Sequence, residues 1–234
     1  MAGEDKMIPT EQTLLDEQSH YYRQRAPEYD DWWFRRGGYD LGTEANALWL
    51  AETRALEEAL AEFAPGGRVL ELACGTGLWT RHLVGYAEQL TAVDGSSEMI
   101  ALNRERVADG TVHYIQANLF EWQPVETYDV CFFGFWLSHV PRDRFAEFWG
   151  MVATALNPGG RVFFIDSASR DRWGEDQFSD DLMVRQLSDG RRFQIVKRFY
   201  EPASLERDLR ELGFTATVGV TDKYFIYASA ELSR

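Results

Sequence analysis

Val69-Leu70-Glu71-Leu72-Ala73-Cys74-Gly75-Thr76-Gly77 is the stretch on which the reading of this chain turns. An apolar run carrying one acidic residue ends in a turn of small residues, the pattern of a strand that spills into a ligand cradle. Gly75 and Gly77 permit a sharp turn and a close approach of backbone to a bound molecule. Glu71 leaves a carboxylate near the strand's end, so a sulfonium or ammonium is expected to be welcome there and a pyrophosphate repelled. The dinucleotide pattern of three spaced glycines fails in both registers, because its third position falls on Thr80 or on Leu78.

Outward from this turn, apolar runs alternate with segments of helical period, which predicts an α/β fold with a doubly wound sheet. Strands are expected at Arg68 to Leu72, Leu90 to Val93, Val112 to Ile115, Val130 to Phe133, Arg161 to Ile165, Ala216 to Thr221 and Tyr224 to Ala228. Helices are expected at Thr43 to Phe63 with Thr43 as cap, Leu78 to Gly85, Ser97 to Ala108, Arg142 to Leu156, and Ala203 to Leu212 closed by Gly213. Leu156-Asn157-Pro158-Gly159-Gly160 reads as a stop and turn. The last two strands, joined through Asp222-Lys223, predict an antiparallel hairpin at one sheet edge.

Two segments stand outside the alternation. Residues 1–42 form an N-terminal helical lid or extension, dense in Tyr, Trp and Arg from Glu11 onward. Residues 43–234 are the ligand-binding domain, with an insertion at about 166–202 that holds a hairpin around Ser188-Asp189-Gly190. Ligands of open α/β sheets bind beyond the carboxyl ends of the strands, so both segments are expected to cover that crevice.

Composition narrows the partners. The chain has 234 residues, a formal net charge of -14 and no block rich in Lys or Arg, so nucleic acid is not an expected partner. The longest apolar stretch, Val130 to Val140, is too short for a bilayer, and Met1 to Gln12 reads as neither signal nor transit peptide. A soluble cytoplasmic protein, monomer or homodimer, without membrane association is the expectation. Cys74 and Cys131 lack metal-ligand spacing, which predicts buried free thiols and no metal site.

The glycine turn, Asp94 directly after the second strand, Tyr114-Ile115-Gln116-Ala117-Asn118-Leu119-Phe120, and Tyr128 to Pro141 along the fourth strand occur in a telling order. Together they resemble the class I S-adenosylmethionine (SAM) methyltransferases, sharply from Arg68 to Asp166 and in outline from Tyr21 to Ala230. Tyr21 to Asp30 looks like the N-terminal element of the ubiquinone/menaquinone-biosynthesis type. The resemblance implies a Rossmann-like, seven-stranded, mostly parallel sheet, SAM as cofactor and S-adenosylhomocysteine (SAH) as product. Asp94 would grip the ribose hydroxyls, Met99 the adenine face, Asn118 and the Leu119 backbone the adenine edge, and Phe135 the methionyl arm. Asn118 stands where relatives often carry Asp. Tyr22 and Arg25 would reach the cofactor carboxylate, and Glu71, Ala73, Gly75, Gly77 and Gly95 would complete the cradle.

Tyr29 and Trp33 would close over the methyl group. Trp32, Trp136, Tyr200, Asp166 and Arg191 with Arg192 would shape a pocket for a small-molecule acceptor, aromatic or prenyl-like, or bearing an acidic group. Methyl transfer is an in-line displacement that positioning alone can support. If the acceptor must lose a proton, His139 is the candidate base, with His20 and Asp166 behind it. The methylated atom is left open among O, N and C. The alternatives are a nicotinamide-dependent oxidoreductase and a non-catalytic SAM-binding module.

Overall fold

A computed structural model describes residues 10–168, 177–179 and 181–233. Residues 1–9 of the expected lid, and 169–176 and 180 of the expected insertion, lie outside the described residues. In chain order the elements are α1 (Glu11–Arg25), α2 (Thr43–Phe63), β1 (Arg68–Leu72), α3 (Thr80–Leu83), β2 (Gln89–Asp94), α4 (Ser97–Val107), β3 (His113–Gln116), β4 (Tyr128–Gly134), α5 (Phe145–Ala155), β5 (Leu156–Ser167), β6 (Gln177–Ser179), β7 (Leu182–Gln186), β8 (Arg192–Val196), α6 (Pro202–Glu211), β9 (Phe214–Val220) and β10 (Phe225–Leu232).

The main sheet has seven strands in the order β3-β2-β1-β4-β5-β10-β9. β1 pairs in parallel with β2 and with β4, so the strand order reverses beside β1. That reversal leaves a crevice at the carboxyl ends of β1 and β4, the place where such sheets bind ligands. β10 runs antiparallel to both β5 and β9, giving a Rossmann-like, mostly parallel sheet with an antiparallel edge hairpin.

Side-chain alternation along β1 shows how the two faces are filled. Leu70 and Leu72 join the core under α5 and α6, with Trp149, Phe133 and Leu209. Val69 faces the opposite core, with Trp49, Leu56, Leu83 and Ile100 from α2, α3 and α4. Parallel strands covered on both faces read as continuous apolar runs, which is why their boundaries were predictable.

Several local expectations need correction. Thr43 is the first residue of α2 rather than its cap; Gly42 precedes it, and Asp40 ties that corner by accepting from the Gly42 N–H and the Asn46 side chain. α3 is a single turn, because the chain leaving the glycine loop becomes helical only at Thr80. β5 begins at Leu156: Leu156 pairs with Tyr128 and Arg161 with Val130, so the Asn157–Gly160 turn is an irregularity within the strand.

α1 lies on a separate three-stranded sheet, β6-β7-β8, through a cluster of Tyr21, Met183, Leu187 and Ile195. Gln18 reinforces the contact by accepting from the Val196 N–H at 2.9 Å. The two segments outside the βα alternation therefore pack on each other. Among the described residues no helix is long and apolar enough to cross a membrane. Cys74 and Cys131 are buried and free.

Glu71 departs most from expectation. It follows Val69 on the same face of β1, so its side chain turns into the core and accepts from the Thr80 hydroxyl at 2.7 Å. Burial raises its pKa to about 8, with the Thr80 bond opposing. A neutral Glu71 costs the fold little below pH 4.5, and its contribution is lost as pH rises through about 8, because the unfolded chain ionises first. Glu71→Gln should therefore gain stability relative to the unaltered protein between pH 5 and 8, by roughly 1–3 kcal/mol, in denaturant titrations. A difference that stays constant across that range would contradict the assignment.

Candidate active site

A cleft of about 980 Å³, open solvent at its mouth included, lies over the carboxyl ends of β1 to β4. Its floor comes from successive strand tips: Ala73 and Gly75 after β1, Asp94 and Gly95 after β2, Asn118 and Leu119 after β3, Phe135 and Trp136 after β4. Met99 of α4 forms one side, and Leu15, Gln18, Ser19 and Tyr22 of α1 form the roof with Tyr29. Most of the expected cofactor residues are thereby brought together.

Asp94 ties the floor. Its Oδ2 accepts from the Gly75 N–H at 2.9 Å and its Oδ1 from the Ser96 N–H at 2.8 Å. Burial pushes its pKa up, while the N–H groups of Ser96, Gly75 and Gly95 pull it down. Each carboxylate oxygen keeps a lone pair for a further donor, the capacity that two ribose hydroxyls require. Gly75, at φ +52°, has only the Ala73 carbonyl, 3.9 Å from where a Cβ would lie, so a ligand can approach its backbone closely. Ala73 and Phe135 hold φ of 52° and 56° without being glycine, and such strain costs on the order of 1–3 kcal/mol each and gathers at binding sites. Asn118 uses its Oδ1 to accept from the Phe120 N–H at 3.1 Å, which leaves its amide N–H groups for a ligand.

A second compartment, the inner one, of about 390 Å³ with open solvent included, adjoins the cleft and shares Tyr22, Tyr29, Phe135 and His139 with it. Arg25, Arg185 and Lys197 line it, beside Trp32, Tyr39 and Ser167. Arg25 is buried and donates to the Tyr21 hydroxyl at 2.8 Å and the Tyr39 hydroxyl at 3.1 Å. Lys197 is buried and donates from Nζ to Ser138 Oγ at 2.8 Å and Ser167 Oγ at 3.1 Å, with Asp166 at 3.4 Å.

His139 stands between the two compartments. Its Nδ1 lies 2.7 Å from the Val196 carbonyl, which can only accept, so Nδ1 carries the proton. Its Nε2 therefore accepts from the Tyr22 hydroxyl at 2.7 Å. Burial, then Lys197, drive its pKa well below the usual histidine range, the Val196 bond opposing. The imidazole is neutral with both nitrogens engaged, and the Tyr22 proton is committed to it. A hydroxyl in that state can accept from a ligand but has no proton left for a carboxylate.

Other expected residues fall elsewhere. Glu71 and Gly77 sit beneath the turn: a Cβ at Gly77, φ +87°, would meet Asn103 Oδ1 at 2.7 Å. Arg25 belongs to the inner compartment rather than the outer cleft. Trp33 backs Phe135 within the aromatic core, where Trp49 Nε1 donates to its carbonyl at 2.9 Å. Asp166 lies beneath both compartments, bound to the Ser138 N–H at 2.8 Å and paired with Lys197. Tyr200 is buried against the Leu137 carbonyl. Arg191 is exposed and holds Asp189 and Gln24, and His20 is exposed on α1 against Phe193. Reasoning from sequence missed Arg185, Lys197, Tyr39 and Ser167; the one usable signal was Lys197 following the apolar pair Ile195-Val196 at a strand end.

Comparison with known proteins agrees with this geometry. The methyltransferase-domain family matches residues 45–217. The ubiquinone/menaquinone biosynthesis C-methyltransferase UbiE of Shewanella piezotolerans is 34% identical over 110 residues, 44% of this chain and 43% of that protein, so the match spans less than half the length of the curated relative. A solved structure described as a DhpI–SAH complex is 40% identical, covers 96% of this chain and 99% of that one, and superposes with a TM-score of 0.79. Another, described as a DhpI–SAM–HEP complex, is 39% identical over 95% of this chain and 99% of that one, also with a TM-score of 0.79. By sequence match, strand order and site geometry, this chain belongs to the methyltransferase-domain family, with the fold of the SAM-dependent class I enzymes.

Proposed function

We propose that the protein transfers the methyl group of SAM to an oxygen of a small acidic molecule, with SAM in the outer cleft and the acceptor in the inner compartment. The observation that carries this reading is the convergence of Arg25, Arg185 and Lys197 on one small cavity in a chain of net charge -14. Buried cations are expensive unless a partner balances them, and among the described residues the hydrogen bonds of the buried Arg25 go to the Tyr21 and Tyr39 hydroxyls and not to a carboxylate. An oxyanion in the compartment would balance that charge. A prenyl-like or neutral aromatic acceptor would leave the charges facing hydrocarbon.

The outer cleft suits SAM by its own chemistry. Asp94 offers acceptors to a ribose, Asn118 donors to an adenine edge, and Met99 an apolar wall. When bound, SAM supplies a methyl group on a cationic sulfur; as the C–O bond forms, the C–S bond breaks and leaves its electron pair on sulfur, giving SAH. Tyr22, Tyr29, Phe135 and His139, common to both compartments, mark where the methyl would pass. The DhpI complex that names SAM and HEP together is consistent with two ligands held side by side.

An acid that is ionised at working pH needs no base, and the neutral, doubly bonded His139 is poorly placed to be one. Its role in this reading is to orient Tyr22. Alignment of the two reactants and exclusion of water by α1 and the aromatic roof supply the rate enhancement.

Asp94→Ala should weaken SAH binding at least about tenfold in calorimetry and abolish thermal stabilisation by SAH. Arg25→Met should leave SAH affinity within about twofold and lower kcat/KM for a small phosphonic, phosphoric or carboxylic acid found by mass-spectrometric screening, by about 10²-fold. Loss of SAH affinity instead would assign Arg25 to the cofactor. For such an acceptor, kcat should show no acidic limb between pH 6 and 8, since a His139 pKa held below the histidine range keeps the ring neutral there. A limb near pH 6.5 that vanishes in His139→Asn would restore the base role.

A further inference from the structure

α4 grips the glycine turn from beneath with two side chains one helical turn apart. Asn103, fully buried, donates from Nδ2 to the carbonyls of Cys74 and Gly75, each at 3.2 Å, and to Thr80 Oγ1 at 2.8 Å. Its Oδ1 accepts from the Tyr114 hydroxyl at 2.8 Å, which fixes the orientation of the amide. Arg106 donates from Nη1 to the Thr76 carbonyl at 2.7 Å and pairs with Asp30 of the segment after α1. Three successive carbonyls of the turn are thus bound by α4.

The Cys74 carbonyl and the Gly75 N–H belong to one planar peptide unit and point in opposite directions. Asn103 holds the oxygen end of that unit and Asp94 Oδ2 holds the N–H end. The peptide plane is pinned between them, so its tilt sets where the Asp94 carboxylate faces the cleft. The close fit of Asn103 Oδ1 under Gly77 also explains why that position admits no side chain.

We propose that Asn103 and Arg106 are positioning residues for the cofactor, Asn103 acting through the Cys74–Gly75 peptide plane on Asp94 and Arg106 through the Thr76 carbonyl of the same turn. The inference rests on the placement of SAM in the outer cleft. It predicts that Asn103→Ala and Arg106→Met each raise the Kd for SAH about tenfold at 25 °C. Arg106→Lys should stay within about threefold of the unaltered protein. The amide proton resonance of Gly75, shifted downfield by its carboxylate partner, should move upfield in Asn103→Ala without added ligand, a change that general destabilisation would not direct to one amide.

Asn103 is wholly buried, whereas the Arg106 side chain is 24% exposed, so Arg106→Met carries the test if Asn103→Ala does not fold. Folded variants that bind SAH as the unaltered protein does, or a Gly75 resonance that does not move, would overturn the proposal. So would an Arg106→Met effect no larger than that of Asp30→Asn, which would place the loss in the contact to the segment after α1. Failure of the unaltered protein to bind SAH would remove the cofactor reading itself, a result distinct from variants that bind normally.

Discussion

The carboxylate of Asp94, bound at once to the N–H groups of Gly75 and Ser96, is the contact on which the site depends. It ties the turn after β1 to the start of α4 across the tip of β2. Without it the Gly75 N–H would lose its partner beside the crevice that the reversed strand order leaves open. Parallel pairing of β1 with β2 and β4 brings the tips together, and the buried polar chain from Tyr114 through Asn103 and Thr80 to Glu71 supports them from below. A fully satisfied buried network of this kind specifies one arrangement, since each lost member leaves another polar group unpaired.

Charge is divided between the two compartments. The outer cleft presents Asp94 and the Asp16 carboxylate of α1, and the inner one presents Arg25, Arg185 and Lys197. A cationic ligand and an anionic one would each find the opposite sign, and their reacting ends would meet at the shared residues. α1 contributes Tyr22 and Arg25 to the inner compartment and Lys197 follows β8, and the contact of α1 with β8 through Gln18 and Val196 also carries the carbonyl that fixes the His139 tautomer. The segments outside the βα alternation thus set both the shape and the electrostatics of the second compartment.

Much of this was legible in the chain. The apolar runs of β1, β4 and β5 located those strands, because strands buried on both faces leave a continuous signal, while the seven-stranded sheet was implied by the family resemblance. The residues lining the outer cleft follow directly from strand tips, where position along the chain and position in space coincide. Glu71 misled because a carboxylate in a motif reads as a ligand contact, while side-chain alternation on β1, with Val69 on the same face, already pointed it inward. Asp166 and Tyr200 are likewise turned into buried contacts, with Lys197 and with the Leu137 carbonyl. The inner compartment was largely illegible: Arg25, Arg185 and Lys197 come from three separate segments, and only tertiary packing joins them. Trp32 lines the inner compartment while Trp33, one residue on, backs Phe135 in the aromatic core, a difference in facing that no periodic rule sets in the turn after Asp31.

The most direct measurement is a structure of the protein with SAH and a small acid acceptor soaked together. The account predicts the ribose on Asp94, the sulfur toward Tyr22, Phe135 and His139, and the acid group within hydrogen-bond distance of Arg25 or Lys197. The homocysteine carboxylate of SAH seated on Arg25, filling the inner compartment, would contradict it.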